Sequence, residues 1–298
     1  AVRVLLEYKF DHASAIERYE HVADRLRARG HTADPVLELD QADLDRYDLL
    51  VSHADLDAQV LSRPGLVAYG GRAIPRTRSL ELLAELGCPT MLWSRARTHD
   101  DVRALFDRWL TDALFLKRSR SFGGKGTCLF DRKHLDALEW DPDADVFCAN
   151  VNPECGDVYK AELFGSELVI AWCSGSPPLP GADFDGFATA PRGAYGERSL
   201  HRLPWRWRRR LRRLGGALVD RGFAYCSLDF MRTPSGALRA LEVNTELVAT
   251  WWTAQFDFVK ERTARAIERL VREVERGRRP PPYPGVEEEG STQPRLAK

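Results

Sequence analysis

Ser227-Leu228-Asp229-Phe230-Met231 and Leu241-Glu242-Val243-Asn244-Thr245 carry the pattern that decides how this chain is read. Each is a short apolar run broken by polar residues, and a turn separates them. Residues i and i+2 of a strand face the same side. Glu242 and Asn244 therefore point together, and Asp229 joins them from the neighbouring strand of a hairpin. Three oxygen donors on a rigid sheet suit Mg²⁺, which takes hard oxygen ligands and keeps places for water and phosphate. The same residues also read as the polar outer face of an antiparallel hairpin. The hairpin alone leaves both readings open.

Composition narrows the class. At 298 residues the chain is long enough for two or three lobes, and 44% apolar residues suffice for real cores. Lys+Arg and Asp+Glu each number 44, so nothing global points to nucleic acid or to a membrane surface. Six cysteines (Cys88, Cys128, Cys148, Cys155, Cys173 and Cys226) form no CxxC pair and no zinc spacing with histidine. They read as reduced thiols of a cytoplasmic protein, small apolar fillers rather than ligands. No apolar run reaches membrane-spanning length, and the first residues read as a strand rather than a signal peptide.

Outward from the hairpin, strands alternate with helices. Residues 2–9 read as a buried strand, 12–30 as a helix stopped by Gly30, 48–52 as a second strand and 65–69 as a third. This alternation predicts a small α/β unit with a mainly parallel sheet. Helices are expected over 77–87 and 100–109. The strand Ala113–Lys117 runs into Ser119-Arg120-Ser121-Phe122-Gly123-Gly124-Lys125-Gly126-Thr127, and a strand resumes at Cys128. Strand, glycine loop, strand is a hairpin flap. It is neither a P-loop nor a dinucleotide fingerprint, both of which open a helix. Strands then dominate at 146–149, 158–164 and 167–172, with a turn at Gly165-Ser166. A long loop is expected over 177–196, and helices over 205–222 and 256–276.

Four blocks in this order resemble the ATP-grasp superfamily over roughly residues 1–277. They are RTRSLELLAELGCP from Arg76, the strand Phe115-Leu116-Lys117 with its flap, Gly156-Asp157-Val158-Tyr159-Lys160 with the following hairpin, and the Asp229/Glu242/Asn244 pair of strands. The branch resembled contains ribosomal-protein glutamate ligases and lysine-biosynthesis ligases. The resemblance implies an α/β protein with α+β lobes, in the three-lobe ATP-grasp arrangement. An N-terminal parallel-sheet domain would span 1–75, a central lobe with the flap 76–147, and a C-terminal lobe with the metal site 148–278. Residues 279–298, with their prolines and EEE run, read as a disordered tail.

The same resemblance implies ATP and Mg²⁺, or Mn²⁺ in its place. Asp229, Glu242 and Asn244 would be the metal ligands. Lys117 would meet the α- and β-phosphates, and Ser121, Gly123, Gly124, Lys125 and Gly126 would cover the β- and γ-phosphates, Lys125 reading equally as solvent-exposed. Cys148, Asn150 and Val151 would border the adenine, and Glu154 the ribose. The implied chemistry joins a carboxylate to an amine through an acylphosphate, on an amino acid, a peptide or a natural-product intermediate. The competing readings are a phosphotransferase and a silent ATP-binding regulator. Family members are often homodimers or homotetramers, and the expected partners are a small-molecule or peptide carboxylate and an amine acceptor.

The chain departs from that family in three places. Where the branch often has an arginine after Gly-Asp-x stands Tyr159, followed by Lys160. Either Lys160 or Arg192 of the long loop would supply the missing cation. A lysine common at the start of the central lobe is absent, and Arg76 or Arg78 stands in. The usual Pro-Gly turn after Asn244 is replaced by Thr245-Glu246-Leu247-Val248-Ala249-Thr250-Trp251-Trp252, which points to an unusual acceptor. The arginines of 206–213 read either as a solvated helix face or as a dock for an acidic partner.

Overall fold

A computed structural model of the protein describes residues 1–8, 12–52, 56–70, 74–118, 127–149, 157–175, 187–189, 198–245 and 251–280. The N-terminal unit contains β1 (Arg3–Glu7), α1 (Ala13–Arg27), β2 (Thr32–Val36), β3 (Leu49–Val51), α2 (Ala58–Leu61) and β4 (Val67–Tyr69). Its sheet has the order β2-β1-β3-β4 and every pair is parallel. β1 is buried from Val4 onward, as expected of a strand covered on both faces. The His12 side chain caps α1 by accepting from the Ser14 N–H, and Gly30 ends the turn at φ +84°. Sequence reading did not anticipate β2. Asp34 and Pro35 break its apolar pattern, and an edge strand tolerates both.

Next come α3 (Arg76–Glu85), β5 (Trp93–Ser94), α4 (His99–Trp109), β6 (Ala113–Lys117), β7 (Thr127–Asp131) and β8 (Val146–Ala149). α4 opens with a capping box between Thr98 and Asp101 and buries Val102, Leu105 and Phe106 under the sheet. β6 and β7 pair antiparallel, with Lys117 opposite Thr127 at the mouth of the flap.

The last part holds β9 (Val158–Phe164), β10 (Glu167–Ser174), β11 (Phe187–Thr189), β12 (Arg198–Leu200), α5 (Trp205–Val219), β13 (Tyr225–Arg232), β14 (Leu238–Asn244), α6 (Trp251–Ala254) and α7 (Asp257–Glu275). Two antiparallel five-stranded sheets result, β11-β7-β6-β8-β5 and β12-β10-β9-β13-β14. β11 lies inside the stretch expected to be loop and adds an edge to the central sheet. α3 docks on the other sheet: the Val243 N–H donates to Ser79 Oγ at 2.7 Å. The segment after α3 pairs with β14 through Ala240, whose N–H donates to the Pro89 carbonyl and whose carbonyl accepts from Met91.

The C-terminal sheet has two different faces. Ala161, Leu163, Leu228 and Val243 share a core with Leu211, Leu214 and Leu218 of α5. The opposite face begins apolar, where Phe164 and Tyr225 join α1, α7 and the N-terminal sheet in one core. It ends polar, where the candidate site lies. α5 approaches the β9–β10 turn closely: a Cβ on Gly215 would sit 2.1 Å from the Gly165 carbonyl oxygen, so only glycine fits. No helix among the described residues is long and apolar enough to cross a membrane. The five described cysteines are free thiols, and Cys155 lies outside the described residues.

Candidate active site

Strand register assembles the site. Asp229 of β13 lies opposite Glu242 of β14 on one side and opposite Lys160 of β9 on the other. Side chains directly opposite one another share a face, so Lys160, Asp229 and Glu242 form a row across three strands. The next row is Glu162, Ser227 and Asn244. Tyr159, adjacent to Lys160, necessarily points to the other face, where it packs on His201 and under Arg232. The register therefore brings Lys160, not Tyr159, to the carboxylates.

The contacts are ionic. Lys160 Nζ lies 2.9 Å from Asp229 Oδ1. Arg76, the first residue of α3 and largely buried, forms an ion pair with Glu242 Oε2. The Asn244 amide donates to Glu242 Oε1 at 3.4 Å. Lys117 arrives from the central sheet. Burial lowers its pKa and Arg76 lowers it further, while Glu242, Cys148 and Asp229 act the other way. Lys117 thus lies within electrostatic reach of both carboxylates. Burial acts to raise the Glu242 carboxyl, yet Arg76, Lys117 and Lys160 hold it at about 2. Burial raises Asp229, with Lys160 opposing and Glu242 adding to the rise. One carboxylate is held firmly ionised, and its neighbour is raised by burial against the pull of Lys160 and Lys117.

Among the described residues no group of three or more His, Cys, Asp or Glu side chains gathers as a metal site. A divalent ion at this position would rest on Asp229, Glu242 and the amide of Asn244. Two carboxylates and one amide oxygen form a hard donor set that leaves places for water and phosphate, so the residues present fit Mg²⁺ better than a fully enclosed ion.

The other anticipated residues divide into three groups. Cys148 stands in β8, fully buried beside Lys117, and burial pushes its thiol up to about 11. The Arg78 side chain is half exposed on the outer side of α3 and pairs with Glu81 and Glu85, so the structure does not bring it to the cluster. Arg76 takes that place. Ser121, Gly123, Gly124, Lys125, Gly126, Asn150, Val151, Glu154 and Arg192 lie outside the described residues.

Sequence reading missed one element beneath the site. Glu162 is fully buried; it accepts from Thr253 Oγ1 at 3.3 Å and lies 3.7 Å from Arg18 Nη1. Arg18 comes from α1, donates to Thr263 Oγ1 at 2.9 Å and lies over the Phe164 ring. The available signal was an arginine four residues before Val22, on the apolar side of α1.

No family model matches the chain, and no curated protein does. Solved structures do. The macrocyclase MdnC from Microcystis aeruginosa MRC, bound with precursor peptide MdnA, superposes with a TM-score of 0.60 at 16% identity, over 91% of this chain and 99% of that one. D-alanine–D-alanine ligase from Bacillus anthracis gives 0.56 at 14% identity, over 93% and 98%. The ATP-grasp ligase PsnB, complexed with a phosphomimetic variant of its minimal precursor, Mg and ADP, gives 0.59 at 16% identity, over 91% and 99%. The chain thus has the fold of the ATP-grasp ligases along nearly its whole length.

Proposed function

We propose that this protein is an ATP- and Mg²⁺-dependent ligase that joins a carboxylate to an amine through an acylphosphate. One observation carries the reading: the Lys160–Asp229–Glu242 row, faced by Lys117 from a second sheet, in a fold shared with ligases. In this reading a substrate carboxylate oxygen bonds to the γ-phosphorus, and the bond to the β–γ bridging oxygen breaks to release ADP. The amine nitrogen then bonds to the carbonyl carbon, phosphate leaves, and the nitrogen gives up a proton. Bound Mg²⁺ supplies neutralisation of phosphate charge. Lys117 and Arg76 position the phosphates. Lys160 balances charge where the acylphosphate forms, with Arg192 the alternative source of that cation. The described residues of the site offer no Ser/His/Asp or Cys/His set, consistent with a nucleophile that belongs to the substrate.

The neighbours suggest the substrate class. MdnC and the Chryseobacterium gregarium ligase were solved with precursor or leader and core peptides. A peptide or natural-product carboxylate is the reading they favour here. In the same reading the chain divides into lobes at 1–75, 76–147 and 148–278.

The deciding experiment supplies Mg·ATP, pooled carboxylic acids and peptides, and hydroxylamine as trap. Equal release of ADP and phosphate with a hydroxamate product is expected. ADP without free phosphate would replace the ligase with a phosphotransferase. ATP binding without ADP release across the panel would replace it with a silent binder.

Lys117→Ala is expected to weaken ATP binding by roughly 10–100-fold, the worth of a charge-assisted hydrogen bond. Arg78→Ala, whose side chain points away, is expected to leave it unchanged. Calorimetric titration with ATP checks both, and equal losses would remove Lys117 from the phosphate site.

A further inference from the structure

Helix α5 carries arginine at 206, 208, 209, 210, 212 and 213. All but Arg210 are exposed. Many exposed arginines elsewhere are neutralised, as in Arg3–Asp48, Arg78–Glu81, Arg269–Glu167 and Arg276–Glu273. Those of α5 have no carboxylate partner among the described residues. Within a chain whose total charge is zero, α5 is an uncompensated cationic stripe.

The stripe works against its own helix. The N-terminal end of a helix favours anions, yet the first turn of α5 has no acidic residue and its Pro204 cap supplies no side-chain hydrogen bond. Arg206/Arg209, Arg208/Arg212 and Arg209/Arg213 are like-charge neighbours three or four residues apart, an arrangement that destabilises a helix. Local rules broken without internal compensation mark a surface shaped by something other than stability.

One of the four large apolar side chains exposed among the described residues lies on the stripe itself, Trp205 at 60%. The Arg206 guanidinium lies over the Trp205 ring. α5 rests on the sheet face opposite Lys160, Asp229 and Glu242. A ligand bound here leaves the face with Lys160, Asp229 and Glu242 uncovered.

We infer that the exposed face of α5 docks an acidic polypeptide segment of a partner, whose apolar residue packs on Trp205. Charge complementarity selects the acid. The length selects a peptide: Arg206 to Arg213 spans about 10 Å of helix, enough for a short run of carboxylates. Nucleic-acid-binding domains are basic as a whole, whereas this chain has no net charge. The inference is independent of the bond the cleft makes.

The test is fluorescence anisotropy of the full chain with a labelled oligoglutamate peptide bearing one phenylalanine. Salt-sensitive binding is expected, weakened at least about tenfold in Arg206→Glu/Arg209→Glu/Arg213→Glu and about threefold in Trp205→Ala. Reversal of Arg46, Arg97 and Arg103 together is expected to leave it unchanged. Arg206→Glu alone is expected to raise the melting temperature, which separates lost docking from lost folding. No binding, or binding kept in the triple variant, overturns the inference. So does tighter binding of a labelled single-stranded RNA through the same arginines. Peptide binding that emerges only when Glu287, Glu288 and Glu289 become Gln assigns the stripe to the chain's own acidic segment. A concentration-dependent dimer dissolved by the reversal assigns it to a second copy. Either would overturn the partner.

Discussion

Glu242→Gln is expected to lower ADP formation by about 10³-fold, the scale set by removing a preorganised electrostatic contact from a reacting phosphate. Glu242 is the best-ionised carboxylate of the cluster, held at about 2 by Arg76, Lys117 and Lys160. Glutamine keeps the length and an oxygen that accepts from Arg76, so the ion pair becomes a hydrogen bond and the fold persists. It removes one negative charge from a donor set that has only two. Single-turnover ADP formation measured across Mg²⁺ concentrations separates the effects. A loss recovered at high Mg²⁺ reports weakened metal affinity, and a loss that persists reports the reacting geometry. Wild-type rates at low Mg²⁺ would remove Glu242 from the metal site. Matched melting curves exclude unfolding as the cause.

Arg18→Met carries the largest expected stability effect. Arg18 is 1% exposed and Glu162 fully buried, so the substitution strands a carboxylate without its counter-charge. Breaking one side of such a pair costs about 3–5 kcal/mol, and for a chain of this size Tm falls by roughly 10 °C. Burial raises the Glu162 pKa, against Arg18, Thr253 and Lys160, which lower it. A carboxyl raised in the folded state binds protons there that the unfolded chain has released. Its penalty is therefore full above the folded pKa and vanishes below the unfolded one. Without Arg18 that rise grows, so the Tm deficit of the variant is expected to narrow as pH falls into the acidic range. Arg18→Met/Glu162→Gln should recover much of the loss at neutral pH. No change in Tm for the single variant would show that the pair contributes nothing.

How far the sequence disclosed this structure depends on how local each feature is. The β13–β14 hairpin was legible because alternation and a short turn fix its faces within a few residues, and Asp229 and Glu242 do stand opposite one another. β6 was legible because an apolar run ends at a charged residue before glycines. Thr32–Val36 was not, since its pairing comes from β1 and not from its own pattern. Choosing between Arg76 and Arg78 required the orientation of α3. Two residues apart on a helix lie on nearly opposite sides, and docking against β14 decides which one turns inward. Lys160 posed the same problem on a strand. Adjacency to Tyr159 guaranteed opposite faces, but only the pairing of β9 with the distant β13 tells which faces Asp229. Arg18 and Glu162 meet across most of the chain, and no short-range pattern links them.

That last distance bears on how the protein is made. Arg18 donates to Thr263, 245 residues further along the chain. At ribosomal speeds of about 5–20 residues per second, the interval between the two is roughly 12–50 s. Throughout it the inner side of α1, with Tyr19, Val22 and Leu26, has no α7 to cover it. The nascent N-terminal unit must wait, sticky and with a lone cation in its apolar face, until the far end of the chain arrives to close it.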